Sequence, residues 1–236
     1  MQSTRQRIGR SIWQAHIERR EHGFKARNMV LHPELAAQPA FLDRFRRETR
    51  LARRISHPNV ARVFDFAQDD RHPSGPHSFL VMELLAGDTL SAYLTQHGPM
   101  PPAEALEIAT QLAAGLTAAH DAGVIHRDFK PSNVMLVPEA DGRRRAVITD
   151  FGLAAPVKPG GSEASVRTTS LLLGTPGYMA PEHWAGRPAS KATDIYSFGV
   201  LLHELITGRH PNANTDAANL VVVPRAWAAV IERCLE

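Results

Sequence analysis

His126-Arg127-Asp128-Phe129-Lys130-Pro131-Ser132-Asn133 places a carboxylate, an amine and a carboxamide within six residues. Its surroundings mark it as a loop between regular elements. Upstream, Pro102 to Ala122 reads as a helix, with Pro101 and Pro102 at its start and Gly123 just past its end. Downstream, Val134 to Val137 is a short apolar run of strand type.

Two further motifs follow in order. Asp150-Phe151-Gly152 lies 22 residues after Asp128, behind a second strand, Ala146 to Thr149, and a polar hairpin, Asp141-Gly142-Arg143. Then, at the end of a segment rich in Gly, Ser and Thr, comes Gly174-Thr175-Pro176-Gly177-Tyr178-Met179-Ala180-Pro181-Glu182. Phosphoryl transfer asks a protein for this set: a group to orient the nucleophile, cations to neutralise phosphate charge and oxygen ligands for a metal. Asp128 is expected to accept or orient the proton of an attacking hydroxyl, with Lys130 near the γ-phosphate. Asn133 offers a carbonyl oxygen, and Asp150 a carboxylate, to Mg²⁺ bound with ATP. Gly152 permits an unusual backbone turn. Alone, Asp-Phe-Gly marks no more than a solvated turn; the order and spacing of the three motifs carry the argument.

The rest of the chain supplies a frame. Between Pro39 and Ser56, Phe41, Leu42, Phe45, Leu51 and Ile55 fall at amphipathic-helix spacing, ending at His57-Pro58-Asn59. Val60 to Phe66 and Ser78 to Leu84 read as strands, Thr89 to Gln96 as a helix. Helical blocks run from Thr193 through Leu205 and from Trp227 to Leu235. A chain of 236 residues, 43% hydrophobic and 22% charged, can bury two small cores. Unbroken apolar runs never approach membrane-spanning length, and no apolar stretch of signal-peptide type follows the basic start, so a soluble protein without a membrane segment is expected. The single Cys234 suits a reducing cytoplasm. With a formal charge of only +3, the Arg-rich stretch from Arg44 to Arg54 reads as the wet face of a helix and not as a nucleic-acid surface.

From about Leu31 onward the chain resembles the eukaryotic-like serine/threonine protein kinases of bacteria. The likeness rests on HPELAAQPAFLDRFRRE, SHPNVARVFDF, FLVMELLAGDTL and DIYSFGVLLHELITG, beside the motifs above. It implies an α+β, two-lobed protein kinase fold: a small antiparallel β-sheet N-lobe with the family's helix αC, residues 1–85, and a larger, mainly helical C-lobe, residues 86–236. The resemblance also assigns roles. Glu48 is similar to the αC glutamate that pairs with an ATP-clamping lysine. Met82 resembles the gatekeeper behind adenine, Glu83 and Leu85 the hinge, and Met135 the apolar floor. Lys130 with Thr175 resembles the serine/threonine-specific pattern, which implies a protein substrate. Arg127 resembles the arginine that grips a phosphorylated activation loop, with Ser165, Thr168, Thr169 and Ser170 as candidate acceptors. Asp194 resembles the buried aspartate that holds the catalytic loop, and His126 belongs to the same scaffold.

The likeness weakens at both ends. Where the family has a glycine-rich turn over the phosphates, Ile8-Gly9-Arg10-Ser11-Ile12 keeps one glycine, and Trp13-Gln14-Ala15 aligns with the family's second strand. Counting back from HPEL, the clamping lysine falls on Met29, nineteen residues before Glu48. Lys25 in His22-Gly23-Phe24-Lys25 resembles that lysine at a displaced position, and by period two Lys25, Arg27 and Met29 share one strand face. Either cation is a candidate replacement. At the other end the chain stops inside what resembles the penultimate helix, so the arginine expected to pair with Glu182 is absent. Two functions follow from this mixture: a kinase, favoured by Asp128, Lys130, Asn133 and Asp150, and a pseudokinase acting as a binding or scaffolding module, favoured by the altered N-lobe. Association into a homodimer stays open.

Overall fold

The computed structural model describes residues 13–21, 24–69, 77–151, 176–211 and 223–236. Four antiparallel strands, β1 (Trp13–Glu21), β2 (Phe24–Leu31), β3 (Val63–Asp69) and β4 (His77–Glu83), form one sheet in the order β1-β2-β4-β3. Across β2 and β4, Ala26 stands opposite Glu83, Arg27 opposite Met82 and Met29 opposite Leu80. Since opposed residues in an antiparallel pair share a face, Arg27, Met29, Leu80 and Met82 all point to one side.

The short helix α1 (Pro33–Ala36) leads into α2 (Pro39–Ala52), which lies against that side. Phe41, Phe45, Thr49 and Ala52 are its buried residues, an i, i+4 stripe with a three-residue step at its end. Phe45 stacks with Phe41 and meets Phe66 edge-on at 5.3 Å between centroids. The helix ends at Ala52, short of the predicted Ser56, for a packing reason. Ile55 is buried in the core of the helical half and not in the cluster under the sheet, so the chain leaves the helix axis to reach it. The next strand also starts later than its apolar pattern suggests. Val60 instead bridges Ile148, and Ala61 donates its N–H to the Ile148 carbonyl at 2.8 Å, before pairing with β4 begins at Val63.

Beyond the sheet lie α3 (Leu90–His97), α4 (Pro102–Asp121), α5 (Pro181–Trp184), α6 (Lys191–Thr207) and α7 (Arg225–Leu235). A three-stranded sheet of β5 (Asp88–Thr89), β6 (Val134–Pro138) and β7 (Arg144–Ile148) packs against α4. Leu112, Leu116, Phe129, Ile148, Leu201 and Leu205 are all at most 2% exposed in the core they share. α4 approaches the Asn59 backbone so closely that a Cβ on Gly115 would lie 2.8 Å from the Asn59 carbonyl oxygen and 2.9 Å from Ile148 Cδ1. Asn59 completes that joint, donating Nδ2–H to the Ala146 carbonyl at 2.8 Å and to Gln111 Oε1 at 3.0 Å.

Candidate active site

The turn between α4 and β6 carries His126 to Asn133, and a buried carboxylate on α6 holds it. Asp194 accepts the backbone N–H groups of His126 and Arg127, both at 2.8 Å, and lies 2.7 Å from His120 Nε2. It is fully buried, and these contacts satisfy it. His126 donates Nε2–H to the Thr149 carbonyl at 2.9 Å and packs its ring on Phe129 and Phe151. The segment before Asp150 is thereby tied to the catalytic turn. Arg127 and Asp150 are non-glycine residues at φ 68° and φ 60°. Such strained backbone persists only where surrounding bonds over-determine it, as the Asp194 and His126 bonds do here.

The candidate catalytic groups meet one another. Lys130 Nζ lies 2.9 Å from one carboxylate oxygen of Asp128 and 2.7 Å from the other. Asn133 donates Nδ2–H to the Asp128 carbonyl at 2.7 Å, and its own carbonyl accepts from the Thr149 N–H at 2.9 Å. With the amide nitrogen so engaged, Asn133 Oδ1 is the end left to meet a cation. Burial pushes the Asp150 carboxyl well above the usual carboxylate range, and Asp128 nearby pushes the same way. Positive groups, Arg27 and Lys130 among them, oppose the shift. Among the described residues no cluster of three His, Cys, Asp or Glu side chains stands ready to cage a metal alone. Mg²⁺ needs no such cage, since it takes one or two protein oxygens and completes its shell with phosphate and water. The half-buried Asp150 carboxylate, with an amide oxygen on the neighbouring turn, fits that ion.

Glu48 on α2 reaches this turn by another route. Its Oε1 lies 2.6 Å from Arg127 Nη1 and 3.2 Å from Arg44 Nε. The face of β2 toward which a clamping lysine would project instead presents Met29, 2% exposed and packed with Phe45, Leu80 and Met82. Met82 belongs to that cluster, and Leu85 and Met135 pack against it, so the three apolar adenine-site candidates line one region. Glu83 is tied to the start of β3, its N–H donating to the Arg62 carbonyl at 2.8 Å. Lys25 pairs with Arg20 in the β1–β2 ladder, one residue beyond where the described β2–β4 pairing ends.

Glu182 accepts the Thr193 hydroxyl at 2.7 Å and borders a cavity of about 500 Å³ also lined by Arg187, Tyr196 and Arg233. Gly152, Ser165, Thr168, Thr169, Ser170, Thr175 and the Ile8–Ser11 stretch lie outside the described residues. His120 and Thr149 join the scaffold without having been singled out in the sequence. A histidine on the last apolar turn of a helix six residues before His126 is the one signal that could have found the first of them.

Sheet, helical half and suspended catalytic turn together have the two-lobed layout of a protein kinase fold. The chain belongs to the protein kinase family: the model of the protein kinase domain matches residues 24–227. Its relatives include a serine/threonine-protein kinase of Myxococcus xanthus, pkn2, 44% identical over 80% of this chain and 22% of that protein. Another is PkaA of Streptomyces coelicolor, 38% identical over 87% of this chain and 38% of that protein. Among solved structures, a mutant of the PknI kinase domain of Mycobacterium tuberculosis superposes with a TM-score of 0.69 at 26% identity, covering 96% of this chain and 83% of that one. The chain spans less than half the length of the curated relatives named here.

Proposed function

We propose that the chain is a serine/threonine protein kinase domain that transfers the γ-phosphoryl group of ATP to a hydroxyl of a protein substrate. The observation that carries this reading is the assembled turn, in which Asp128, Lys130 and Asn133 are bonded to one another and suspended from Asp194. The substrate oxygen forms its bond to the γ-phosphorus as the bond to the β,γ-bridging oxygen breaks and ADP leaves. Asp128 orients the hydroxyl and takes its proton. Lys130, held on Asp128, stands where it can meet the charge developing on the transferred group. Asn133 and Asp150 would hold Mg²⁺, which supplies charge neutralisation at the phosphates when bound. Met82, Leu85 and Met135 give the adenine an apolar slot, with the backbone of Glu83 and Leu85 as its polar edge.

Regulation enters through Arg127. Its guanidinium is engaged by Glu48, and a phosphate on Thr168, Thr169 or Ser170 would compete for it with nearly two negative charges and bidentate geometry. Activation-loop phosphorylation would thus release α2 from the catalytic turn. The competing reading, a pseudokinase that binds partners without turnover, draws on the Met29 position and on the engagement of Glu48 away from β2. Among the described residues no helix is long and apolar enough to cross a membrane, and the lone Cys234 suits a cytoplasmic setting.

Purified chain incubated with labelled ATP and Mg²⁺ decides between them. Incorporation into the chain or a generic acceptor, abolished by Asp128→Asn and by Asp150→Asn, is the expected result. Label absent from wild type under conditions where nucleotide binds establishes the pseudokinase.

A further inference from the structure

The position on β2 that counting along the sequence assigns to the clamping lysine holds no cation. Met29, at that position, is sealed in an apolar cluster with Phe45, Leu80 and Met82. Two residues back on the same face stands Arg27, directly across from Met82 on β4. Arg27 is half-buried, and its Nε is fully enclosed yet finds no hydrogen-bond partner among the described residues. A guanidinium N–H stripped of water and left unpaired is costly, and native proteins keep such groups where a ligand completes them. The carboxylate that would ordinarily neutralise a cation beneath this sheet is Glu48, and Arg127 and Arg44 already hold it.

We propose that Arg27 is the phosphate-binding cation of this N-lobe, replacing from two residues upstream the lysine that the chain lacks at Met29. The assignment rests on the nucleotide-binding reading above and favours Arg27 over Lys25. The β2–β4 ladder starts at Ala26, which leaves Lys25 at the hairpin side of the strand, away from the buried cluster. An arginine suits the position: its long stem crosses the apolar strip and its planar fork can take two phosphate oxygens where a lysine takes one. It binds and positions the phosphates and takes no part in proton transfer.

The test is calorimetric titration of wild type, Arg27→Met, Arg27→Lys and, as a distant control, Arg53→Met, with Mg·ATP, Mg·tripolyphosphate and adenosine. Methionine keeps the stem and removes the charge, and matching thermal melts establish that each variant is folded. Arg27→Met is expected to weaken Mg·ATP and Mg·tripolyphosphate about tenfold to a hundredfold while moving adenosine less than about twofold. Arg27→Lys should recover most of the loss, and Arg53→Met should match wild type. Equal binding of Mg·ATP by wild type and Arg27→Met overturns the assignment and leaves the kinase reading standing. Tighter binding by Arg27→Met also overturns it, and shows instead that Arg27 obstructs the cleft. Tripolyphosphate held through Arg27 while Mg·ATP does not bind keeps the phosphate site and sinks the nucleotide reading. Failure of wild type to bind either phosphate ligand removes both.

Discussion

The catalytic turn and the inward face of β2 sit across one cleft, and they differ in how completely their polar atoms are matched. In the turn, Asp194 accepts two backbone N–H groups and pairs with His120, His126 donates to the Thr149 carbonyl, and Asp128 accepts from Lys130 and, at its backbone carbonyl, from Asn133. Across from it, Arg27 Nε on β2 and Thr49 Oγ1 on α2 are buried without a partner among the described residues. One side is built before any ligand arrives; the other has donors and acceptors that a ligand, or a shift of α2, would satisfy. The contrast teaches that preorganisation here resides in the C-lobe, where strain at Arg127 and Asp150 is held by buried hydrogen bonds, and that nucleotide affinity depends on the less finished side.

The largest expected effect breaks the chemistry on the finished side. Asp128→Asn keeps the shape of the turn but removes the proton acceptor, and phosphate incorporation should fall by about 10²–10⁴ with melting temperature nearly unchanged. Asp194→Asn attacks the scaffold itself. An amide facing two backbone donors cannot accept from both, so the fold should lose on the order of 3–5 kcal/mol, read as a lower urea midpoint, and activity should fall with it. Gly115→Ala tests the joint between α4 and Asn59, where the added methyl meets a carbonyl oxygen at 2.8 Å. A loss of about 1–3 kcal/mol in the same measurement is expected, with catalytic residues untouched.

The smallest effect concerns His183, whose Nδ1 is buried without a partner among the described residues. Burial lowers its pKa below the ordinary value of 6.5. The unfolded chain therefore binds the proton more readily, so the stability tied to neutral His183 is fully present above about pH 6.5 and is lost as pH falls through the lower folded value. His183→Gln should flatten the decline in urea midpoint between pH 7.5 and 5.5 relative to wild type. An unchanged slope would show that burial of this ring does not matter to the fold.

Most of the fold was readable in advance. The apolar spacing of α2, the proline starts of α4 and the strands flanking Asp141-Gly142 appear within two to four residues of their places, because local pattern and local burial agree. Departures occur where a residue serves a distant neighbour. Ile55 leaves its helix to enter the other core, and Val60 gives up its strand for a bridge to Ile148. The same holds in the site. Asp128, Lys130, Asn133 and Asp150 were legible since their chemistry needs particular residue types at short, ordered spacing. His120 was not, because its partner lies 74 residues away on α6.

The sequence by itself determined the family, the identity of the chemical groups on the catalytic turn and the absence of a lysine at position 29, all of which depend on residue type and order along the chain. Only the tertiary structure decided that Glu48 binds Arg127, 79 residues away, that Arg27 stands opposite Met82, and that Met29, opposite Leu80, is sealed in the core. Strand register and helix placement are set by packing among segments remote in sequence, and a one-residue change of register would have turned a different side chain toward the cleft.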